Sequence, residues 1–559
     1  MTNPTNPLIV QTDLTILAEV ASPAFEEART ALARFAELEK APEHVHTYRI
    51  TPLSLWNAAV AGLSAGDVAS TITRFAKYDV AASVLTEVHD QMGRYGRLRL
   101  VRDHDTTALA LTSAEPALIE EVSRDKEVAK LLGERLDGNR FAVRKGDRGV
   151  LKQALLRLGW PASDEAGYET GSELDPIEVT ADLRSYQADA LAAWWHEGGD
   201  VGGNGVLVLP CGAGKTVIGL AAMATAATHT LIVATSISSA RQWRRELLDK
   251  TTLTDDQIGE FSGERKDIRP VTIATYQVLT WAKRGVPKDG DLFERHPHLA
   301  LFDQQQWGLV IYDEVHLLPA PVFRATARIQ AIRRLGLTAT LVREDNKEAD
   351  VFSLIGPKRF DAPWKELEVL GWIAPATCTE IRVYLTDEQR MAYAVADPEH
   401  RHRLAATSPA KDPVLDALVA RHRGDRVLII GQFLDQLQRI AERLGAPLVT
   451  GKTTQRARDE LFEQFRQGQV ETLVVSKVAN FSIDLPEANV AIQVSGQFGS
   501  RQEEAQRLGR IMRPKADGGR AAFYTLVTAE TVEQLFALNR QRFLAEQGYT
   551  YEILDADPA

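Results

Sequence analysis

Two short stretches of this sequence carry residues that can bind and cleave a phosphoanhydride. The first is a glycine-rich turn that reads Pro210, Cys211, Gly212, Ala213, Gly214, Lys215 and Thr216. It follows the apolar run 206–209 and precedes the helix-like run 217–226, so backbone N–H groups and a helix N-terminus converge on one point. The turn predicts a phosphate site in which Lys215 neutralises the β- and γ-phosphates and the Thr216 hydroxyl reaches Mg²⁺.

The second stretch is the acidic sequence Asp313, Glu314, Val315 and His316. The apolar run 309–312 before it is typical of a buried strand, which would deliver both carboxylates at its C-terminal end. Asp313 would then hold Mg²⁺, and Glu314 would orient or deprotonate the attacking water. Two acids after a strand could instead cap the next helix, but such a cap would not require the upstream loop. Together the two stretches predict the hydrolysis of a nucleoside triphosphate.

The composition indicates a protein with several packed cores. The chain has 559 residues, 44% of them hydrophobic, and at about 150 residues per domain this length predicts three to four domains. Its 2 cysteines, Cys211 and Cys378, exclude a disulfide framework and a cysteine-based zinc cluster. No apolar run approaches the length of a membrane span, so we expect an intracellular protein without a membrane partner. The net charge of −11 means that phosphate contacts must come from local basic clusters.

Alternating strand-like and helix-like runs indicate two parallel α/β units between residues 183 and 526. The strand candidates are residues 206–209, 230–234, 271–274, 309–312 and 335–337 in the first unit, and 426–430, 472–475, 490–494 and 521–526 in the second. The polar stretch 386–411 between the units is interpreted as an insertion or a mobile helical element. Nearer the N-terminus we expect helices over 14–38 and 53–78, paired strands at 98–101 and 108–111, and a linker at 172–176.

Further residues could complete the nucleotide site. Arg510 and Arg513 of the second unit lie three apart, on one face of a helix, and arginines presented across a cleft between domains can act on the γ-phosphate. Near the start of the first unit, the Gln187 amide can pair with N6 and N7 of adenine, which would select ATP over GTP. Arg184 could stack on the adenine ring.

These motifs resemble those of known helicases. Gln187, the loop at Lys215, the acidic box at Asp313 and the runs 337–340 and 506–513 are similar to superfamily 2 helicases. The chain resembles the bacterial type of the XPB (xeroderma pigmentosum group B) family. The matching runs are 313–316, 336–345 (GLTATLVRED), 371–376, 482–488 and 502–514. The similarity extends from about residue 183 to the end, and the run 44–55 is more loosely similar.

The resemblance implies an α/β fold with two tandem RecA-like parallel-sheet helicase domains, preceded by a mixed α+β N-terminal region. The implied divisions are an accessory domain at 1–92, a damage-recognition-like domain with a linker at 93–175, helicase domain 1 at 176–365, helicase domain 2 at 366–548 with a short thumb-like insert near 386–411, and a disordered tail at 549–559.

The resemblance also implies an activity, that of an ATP- and Mg²⁺-dependent DNA helicase with 3′ to 5′ polarity in nucleotide excision repair, in a prokaryotic cytoplasm at the nucleoid. Arg343, Glu344 and Asp345 correspond to a motif that engages the duplex at its opening point. We expect His316, Thr338 and Thr340 to relay closure of the two units to the DNA. Backbone-directed contacts from Thr235, Arg241 and Thr275 would make binding to DNA independent of sequence.

Three alternatives to the helicase remain open at this point. The chain could be a translocase that pumps duplex DNA without separating its strands, since the same motifs permit it. It could act on RNA, because motor motifs do not settle the sugar. It could also be an ATP-gated scaffold, in which the N-terminal region recruits a repair nuclease and hydrolysis times its release.

Overall fold

A computed structural model gives the architecture. It describes residues 3–556, apart from 41–43, 103–108, 145–146, 167–170, 199–201, 211, 288–291, 320–321, 323–324, 326–332, 340–350, 352–353, 363–366, 368–369, 373–375, 477–487, 497–520 and 547–550. The chain forms two compact units, one of Met1–Val208 with Gly214–Asp361 and one of Leu209–Ala213 with Ala362–Ala559. None of the helices in the described ranges combines the length and the apolar composition that crossing a bilayer requires.

The N-terminal part of the first unit is an antiparallel sheet covered by helices. Its strands run in the order β1-β2-β4-β3. They are β1 (Leu8–Val10), β2 (Thr15–Glu19), β3 (Glu37–Lys40) and β4 (Val45–Arg49), and the helices are α1 (Phe25–Leu32), α2 (Pro52–Val60), α3 (Ala65–Phe75) and α4 (Ala82–Met92). The long helix expected over 14–38 is wrong, because Thr15 and Ile16 are buried on a paired strand. The helix expected over 53–78 is interrupted where Gly62 takes a positive φ of 88° and Ser64 caps α3.

A second, mixed sheet follows in the order β7-β8-β6-β5-β9. Its elements are β5 (Leu98–Arg102), β6 (Leu109–Ser113), α5 (Pro116–Ser123), α6 (Lys126–Ala129), β7 (Leu132–Asp137), β8 (Arg140–Val143), α7 (Arg148–Arg157) and β9 (Ala162–Asp164). The expected pairing of 98–101 with 108–111 is confirmed for the described residues, since Leu100 lies opposite Leu111 in antiparallel register. The buried Arg148 guanidinium bonds the Asp164 carboxylate and so fastens α7 to β9.

The stretch 172–176, expected to be a linker, is bonded to the first parallel sheet. The Ser172 N–H donates to the Gln306 carbonyl at 2.9 Å, and the Leu174 N–H donates to the Ala227 carbonyl at 3.0 Å. A little further on, Val179 forms a bridge with Thr251. Backbone bonds therefore hold this polar, acidic segment in place, which its composition does not reveal.

The first parallel sheet has seven strands in the order β12-β13-β11-β14-β15-β10-β16. The strands are β10 (Asn204–Val208), β11 (Thr230–Ala234), β12 (Ile258–Phe261), β13 (Val271–Thr275), β14 (Leu309–Asp313), β15 (Arg333–Thr338) and β16 (Lys358–Asp361), and the helices are α8 (Ser185–Trp195), α9 (Lys215–Ala226), α10 (Ile237–Lys250), α11 (Tyr276–Leu279) and α12 (Leu292–Arg295). The predicted strands of this sheet are confirmed. Both edge strands, β12 and β16, escaped prediction.

The second unit contains another seven-stranded parallel sheet, in the order β19-β20-β18-β21-β22-β17-β23. The strands are β17 (Ala376–Val383), β18 (Val427–Gly431), β19 (Leu448–Val449), β20 (Thr472–Ser476), β21 (Val490–Gln493), β22 (Ala521–Thr528) and β23 (Tyr551–Asp555), and the helices are α13 (Asp387–Val395), α14 (Pro398–Ala406), α15 (Lys411–Arg421), α16 (Leu434–Leu444), α17 (Gln455–Arg466) and α18 (Val532–Glu546). The expected fold class, with its two parallel-sheet domains after a mixed region, is confirmed. The tail expected to be disordered contributes β23, which pairs with β17.

The insert near 386–411 consists of α13 and α14, and its end is fixed by a buried ion pair. Lys411 Nζ donates to Glu533 Oε2 at 2.8 Å and to the carbonyls of Val494 and Ala406 at 2.9 and 3.1 Å. The side chains of Lys411 and Glu533 are only 2% and 7% exposed. The same carboxylate also accepts the Thr528 N–H at 3.0 Å. The insert is thus anchored to the sheet of the second unit by a satisfied polar network.

We expect Lys411→Met to destabilise the second unit by about 3 to 5 kcal/mol, because it leaves the Glu533 carboxylate buried without its counter-charge. Urea unfolding of the full chain, followed by circular dichroism, would show the corresponding transition at lower urea. The control is Arg403→Met, which removes an exposed ion pair with Asp435 and should cost less than about 1 kcal/mol. Equal stability of the two variants would contradict the prediction.

Candidate nucleotide-binding site

The site begins where α8 brings an amide next to the glycine turn. The Arg184 N–H, at the start of α8, donates to Gln187 Oε1 at 2.9 Å, and Gln187 is buried. The Arg184 guanidinium bonds the Tyr186 hydroxyl at 3.2 Å. The Gln187 side chain is therefore fixed in orientation before any ligand binds.

The glycine turn approaches this amide so closely that a side chain has no room. Gly212 and Gly214 take positive φ values of 82° and 75°, a conformation that favours glycine. A Cβ atom on Gly214 would lie 2.4 Å from Gln187 Nε2. Ala213, between the two glycines, is fully buried, and its N–H donates to the Pro210 carbonyl. Cys211 lies outside the described residues.

The helix α9 begins at Lys215, whose ammonium faces the acidic box. Lys215 Nζ lies 3.3 Å from Glu314 Oε1, and both side chains are largely buried. Burial raises the pKa of the Glu314 carboxyl, but the charges of Lys215 and His316 outweigh burial, so the pKa of Glu314 falls below its ordinary value. Glu314 is therefore ionised at neutral pH. Thr216, the next residue of α9, is half-buried.

Asp313 stands at the C-terminal end of β14 and is held by the helix α10. Its Oδ2 atom accepts hydrogen bonds from Ser239 Oγ and from Trp243 Nε1, both at 3.0 Å. Its backbone carbonyl accepts the Tyr276 hydroxyl at 3.0 Å. Burial and the neighbouring Glu314 charge raise the pKa of the Asp313 carboxyl, a shift that a nearby cation would reverse.

His316 connects the acidic box to the end of β15. Its Nδ1 atom lies 2.5 Å from Thr338 Oγ1 and 3.5 Å from Glu314 Oε2, and Thr338 is fully buried. The predicted relay residues His316 and Thr338 therefore meet, whereas Thr340 lies outside the described residues. Glu314 itself has a φ of 49°, which is rare for a residue other than glycine and marks strain next to the reacting groups.

These side chains fit a triphosphate with Mg²⁺. Glu314 Oε2 is buried and has no hydrogen-bond partner among the described residues, so a ligand or a water would satisfy it. The two donors on Asp313 fix its carboxylate at the strand end, in the way that outer partners orient a metal-binding group. Asp313 and Thr216 would hold the metal, with phosphate oxygens and water as its other ligands.

The residues predicted to contact DNA have different surroundings. Arg241 lies on the exposed side of α10 and pairs with Glu264 at 2.8 Å. Thr235 follows β11 and is half-buried. The Thr275 side chain is fully buried and accepts the Val278 N–H as the cap of α11, so its hydroxyl has no surface for a phosphate. Arg343, Glu344, Asp345, Arg510 and Arg513 lie outside the described residues.

Sequence reasoning missed the residues that hold Asp313, which are Ser239, Trp243 and Tyr276. A signal for two of them exists, because Ser239 and Trp243 are four residues apart and so share one face of a helix. Trp243 also packs against Gly219 of α9, where a Cβ would lie 2.5 Å from the indole ring. Trp243 lies on α10 and packs against α9, and in this position its indole N–H reaches the Asp313 carboxylate.

Three stretches of the chain match family models. Residues 367–558 match the ERCC3/RAD25/XPB C-terminal helicase, and residues 180–343 match the res subunit of type III restriction enzymes. Residues 8–137 match a model described as a helicase conserved C-terminal domain, although they lie in the N-terminal part of this chain.

The chain is similar to named relatives over nearly all of its length. The DNA 3′-5′ helicase XPB of Kineococcus radiotolerans is 58% identical over 554 residues, which are 99% of this chain and 97% of the relative. The protein of the same name from Mycobacterium tuberculosis is 56% identical, over 99% of this chain and 98% of the relative. The general transcription and DNA repair factor IIH helicase/translocase subunit XPB/SSL2 of Saccharomyces cerevisiae is 30% identical, over 98% of this chain and 72% of the relative.

Among solved structures, the Hef helicase domain of Pyrococcus furiosus is 14% identical to this chain. It covers 63% of this chain and 97% of its own, with a TM-score of 0.42.

We expect Trp243→Phe to raise the Mg²⁺ concentration needed for half-maximal ATP hydrolysis by about tenfold, because a hydrogen bond to a charged group is worth about 1.5 to 3 kcal/mol. The phenyl ring keeps most of the packing against Gly219 and removes only the N–H donor. A Mg²⁺ titration of the hydrolysis rate measures the shift.

The matched control is Trp307→Phe, which removes the indole N–H that donates to the Leu301 carbonyl elsewhere in the first unit. That variant should keep the wild-type Mg²⁺ dependence. An unchanged Mg²⁺ midpoint in Trp243→Phe would show that the indole does not position Asp313.

Proposed function

Since the chain belongs to the XPB family of DNA helicases, we propose that it is an ATP-dependent DNA helicase that opens or remodels duplex DNA in nucleotide excision repair, with 3′ to 5′ polarity. The names of the bacterial relatives support the activity and its direction. The name of the yeast relative, a transcription and DNA repair factor subunit, supports the setting. We also propose domains at 1–92, 93–175 and 176–365, and a second helicase domain that begins at 366 and includes β23, since that strand pairs with β17.

The observation that carries the ATPase assignment is the packing of Lys215 against the buried pair Asp313 and Glu314. A lysine at the start of a helix, after two glycines with positive φ, offers a cation and backbone N–H groups to phosphate. The Gln187 side chain, on α8, lies close to Gly214 of the same turn. A bare structural ion pair would not require an amide, a phosphate turn and two carboxylates within one site.

Each of these residues then has a distinct role. Gln187 recognises adenine, and Lys215 holds the phosphates. Asp313 and Thr216 would hold Mg²⁺, and the metal would supply positive charge next to the phosphoryl oxygens. Glu314, ionised and buried beside the phosphate site, orients the water and accepts its proton. Arg510 and Arg513 are the arginines that we propose to act on the γ-phosphate.

Several finer assignments belong to the same proposal. His316 and Thr338 relay closure through their direct contact, together with Thr340. Thr235, Arg241, Arg343, Glu344 and Asp345 would contact the DNA, which is bound without regard to its sequence. A repair nuclease is the protein partner that excision would require. The bacterial relatives support a cytoplasmic site of action, at the nucleoid.

A translocase that moves along duplex DNA is the second candidate, and the name of the yeast relative, helicase/translocase, favours keeping it. Strand separation and duplex translocation give different products. Release of a strand from forks with a 3′ or a 5′ overhang measures unwinding and its polarity. Displacement of the third strand from a triplex measures movement without unwinding, so triplex displacement without fork opening would select the translocase.

We expect Glu314→Gln to lower DNA-stimulated ATP hydrolysis by about 10²- to 10⁴-fold, because the amide cannot accept a proton from water. ATP binding, measured by fluorescent nucleotide, should persist because Lys215 and the glycine turn are intact. Hydrolysis is compared without nucleic acid and with single-stranded DNA, a fork and RNA. Glu246→Gln, which alters an ion pair on α10, is the control. Unchanged turnover in Glu314→Gln would refute the catalytic assignment.

Gln187→Ala should lower the preference for ATP over GTP, as measured by the ratio of their kcat/KM values, by about 10- to 100-fold, since a bidentate amide–adenine pair discriminates by about 1 to 3 kcal/mol. Gln305→Ala, which removes a hydrogen bond to His229 in the same unit, should leave the ratio unchanged. Equal losses with both nucleotides would mean that Gln187 supports the turn without recognising the base.

A further inference from the structure

An exposed tryptophan stands on the first unit, two residues after α11, and the assignments above give it no role. Trp281 is 52% exposed, which is unusual for the largest side chain unless it meets something outside the chain. A single exposed apolar residue is common on protein surfaces. What distinguishes Trp281 is how its ring is held and which charges lie near it in the sequence.

The Trp281 ring is held by other rings. The centre of the His298 ring lies 5.5 Å from that of Trp281, and Phe261 contacts His298 edge-on, with ring centres 5.6 Å apart. The ammonium of Lys266 lies 4.3 Å from the centre of the Phe261 ring, in a cation–π contact. These contacts make a continuous row, here named the aromatic row, of Lys266, Phe261, His298 and Trp281.

The backbone that carries Trp281 is also fixed. The Trp281 N–H donates to the Val278 carbonyl at 3.3 Å, and His296 Nδ1 lies 3.3 Å from the Trp281 carbonyl and 3.0 Å from the Thr280 carbonyl. The Lys283 N–H donates to the Arg295 carbonyl at 2.8 Å. The exposed indole is thus presented by an ordered loop, so little conformational entropy is lost when a flat group stacks on it.

The charges beside the aromatic row favour an anionic ligand. Lys266 belongs to the row, Arg265 precedes it in the sequence, and Lys283 and Arg284 follow Trp281 closely. No ion pair joins any of these four cations to a carboxylate within the described ranges. The nearby acids Glu264 and Asp267 are each neutralised by an arginine, Arg241 and Arg269. The whole chain has a net charge of −11, so this local excess of positive charge differs in sign from the chain as a whole.

We propose that Trp281 and the cations beside the aromatic row form a stacking platform for an unpaired base of single-stranded DNA. A polyanion with flat, exposed bases is the ligand that needs both a π-face and cations, and this combination is how proteins hold single strands without reading their sequence. The platform is connected to Arg241, because Arg241 pairs with Glu264 and Glu264 is two residues before Lys266. The inference rests on the proposed DNA-dependent function and adds the contact that grips the separated strand.

The test is a thermodynamic cycle between the tryptophan and the base. Full-length wild-type protein and Trp281→Ala are titrated with labelled oligothymidine and with an abasic oligonucleotide of the same length. Trp281→Ala should weaken binding to oligothymidine about tenfold, as the loss of one stacked base does. It should barely affect the abasic strand, which has no base to stack. Trp281→Phe should recover most of the affinity.

The matched control is Tyr78→Ala, an exposed aromatic residue of the N-terminal part, which should leave both affinities unchanged. Lys266→Ala with Lys283→Ala should weaken both strands alike and lower the salt dependence of binding, because these cations contact the backbone. Equal losses on the two oligonucleotides in Trp281→Ala, or no loss on either, would overturn the platform. Coupling seen with an RNA strand and absent with DNA would overturn the choice of ligand.

Failure of the platform can be told apart from failure of the proposed function. If single-stranded DNA still stimulates ATP hydrolysis by the wild type while the cycle gives no coupling, the platform alone is wrong. If single-stranded DNA neither binds to the wild type nor stimulates hydrolysis, both are wrong.

Discussion

The first unit depends on one electrostatic constraint, which is the presence of two neighbouring buried carboxylates with one ammonium beside them. Asp313 and Glu314 cannot both be ionised in a low-dielectric site without compensation. Lys215 and His316 supply it for Glu314, whose pKa falls, whereas burial and the Glu314 charge raise the pKa of Asp313. Ionisation of Asp313 therefore needs a further positive charge, which a divalent cation would supply, and the bonds from Ser239 and Trp243 hold its carboxyl group in place.

The parallel topology of the first sheet brings these charged residues together. All its strand pairs are parallel, so their C-terminal ends meet at one edge, where an open α/β sheet places its ligand. In the strand register of this sheet, Val208 lies opposite Thr338, and Asp313 lies opposite Leu337. The glycine turn, the acidic box and Thr338 consequently emerge side by side, and α8 supplies Gln187 from outside the sheet.

The sequence predicted the interior strands of the first parallel sheet and those of the second except β17, because unbroken apolar runs are local signals. β17 was missed because Thr377, Thr379 and Glu380 interrupt its apolar residues. The edge strands were missed for a physical reason: β12 carries Glu260, and β19 spans only Leu448–Val449, so neither has the apolar run of a central strand. The partners of Asp313 were missed because they come from α10 and α11, and only the fold brings these helices to the end of β14. Thr275 was assigned to DNA from its position alone, whereas its hydroxyl caps a helix.

The same two helices suggest how a strand of DNA could influence hydrolysis. On α10, Trp243 and Ser239 face Asp313, while Arg241 faces outward next to Glu264. On α11, Tyr276 bonds the Asp313 carbonyl, and Trp281 follows the C-terminal end of the helix. A shift of either helix when a strand binds at its outer side must therefore change the position of the Asp313 carboxylate or its backbone. Because coupling between two sites is reciprocal in binding free energy, nucleotide bound at Asp313 would change the grip on the strand by the same factor. A motor that alternates between holding and releasing its track needs such a linkage, and the hydrogen bonds from α10 and α11 to Asp313 would provide one.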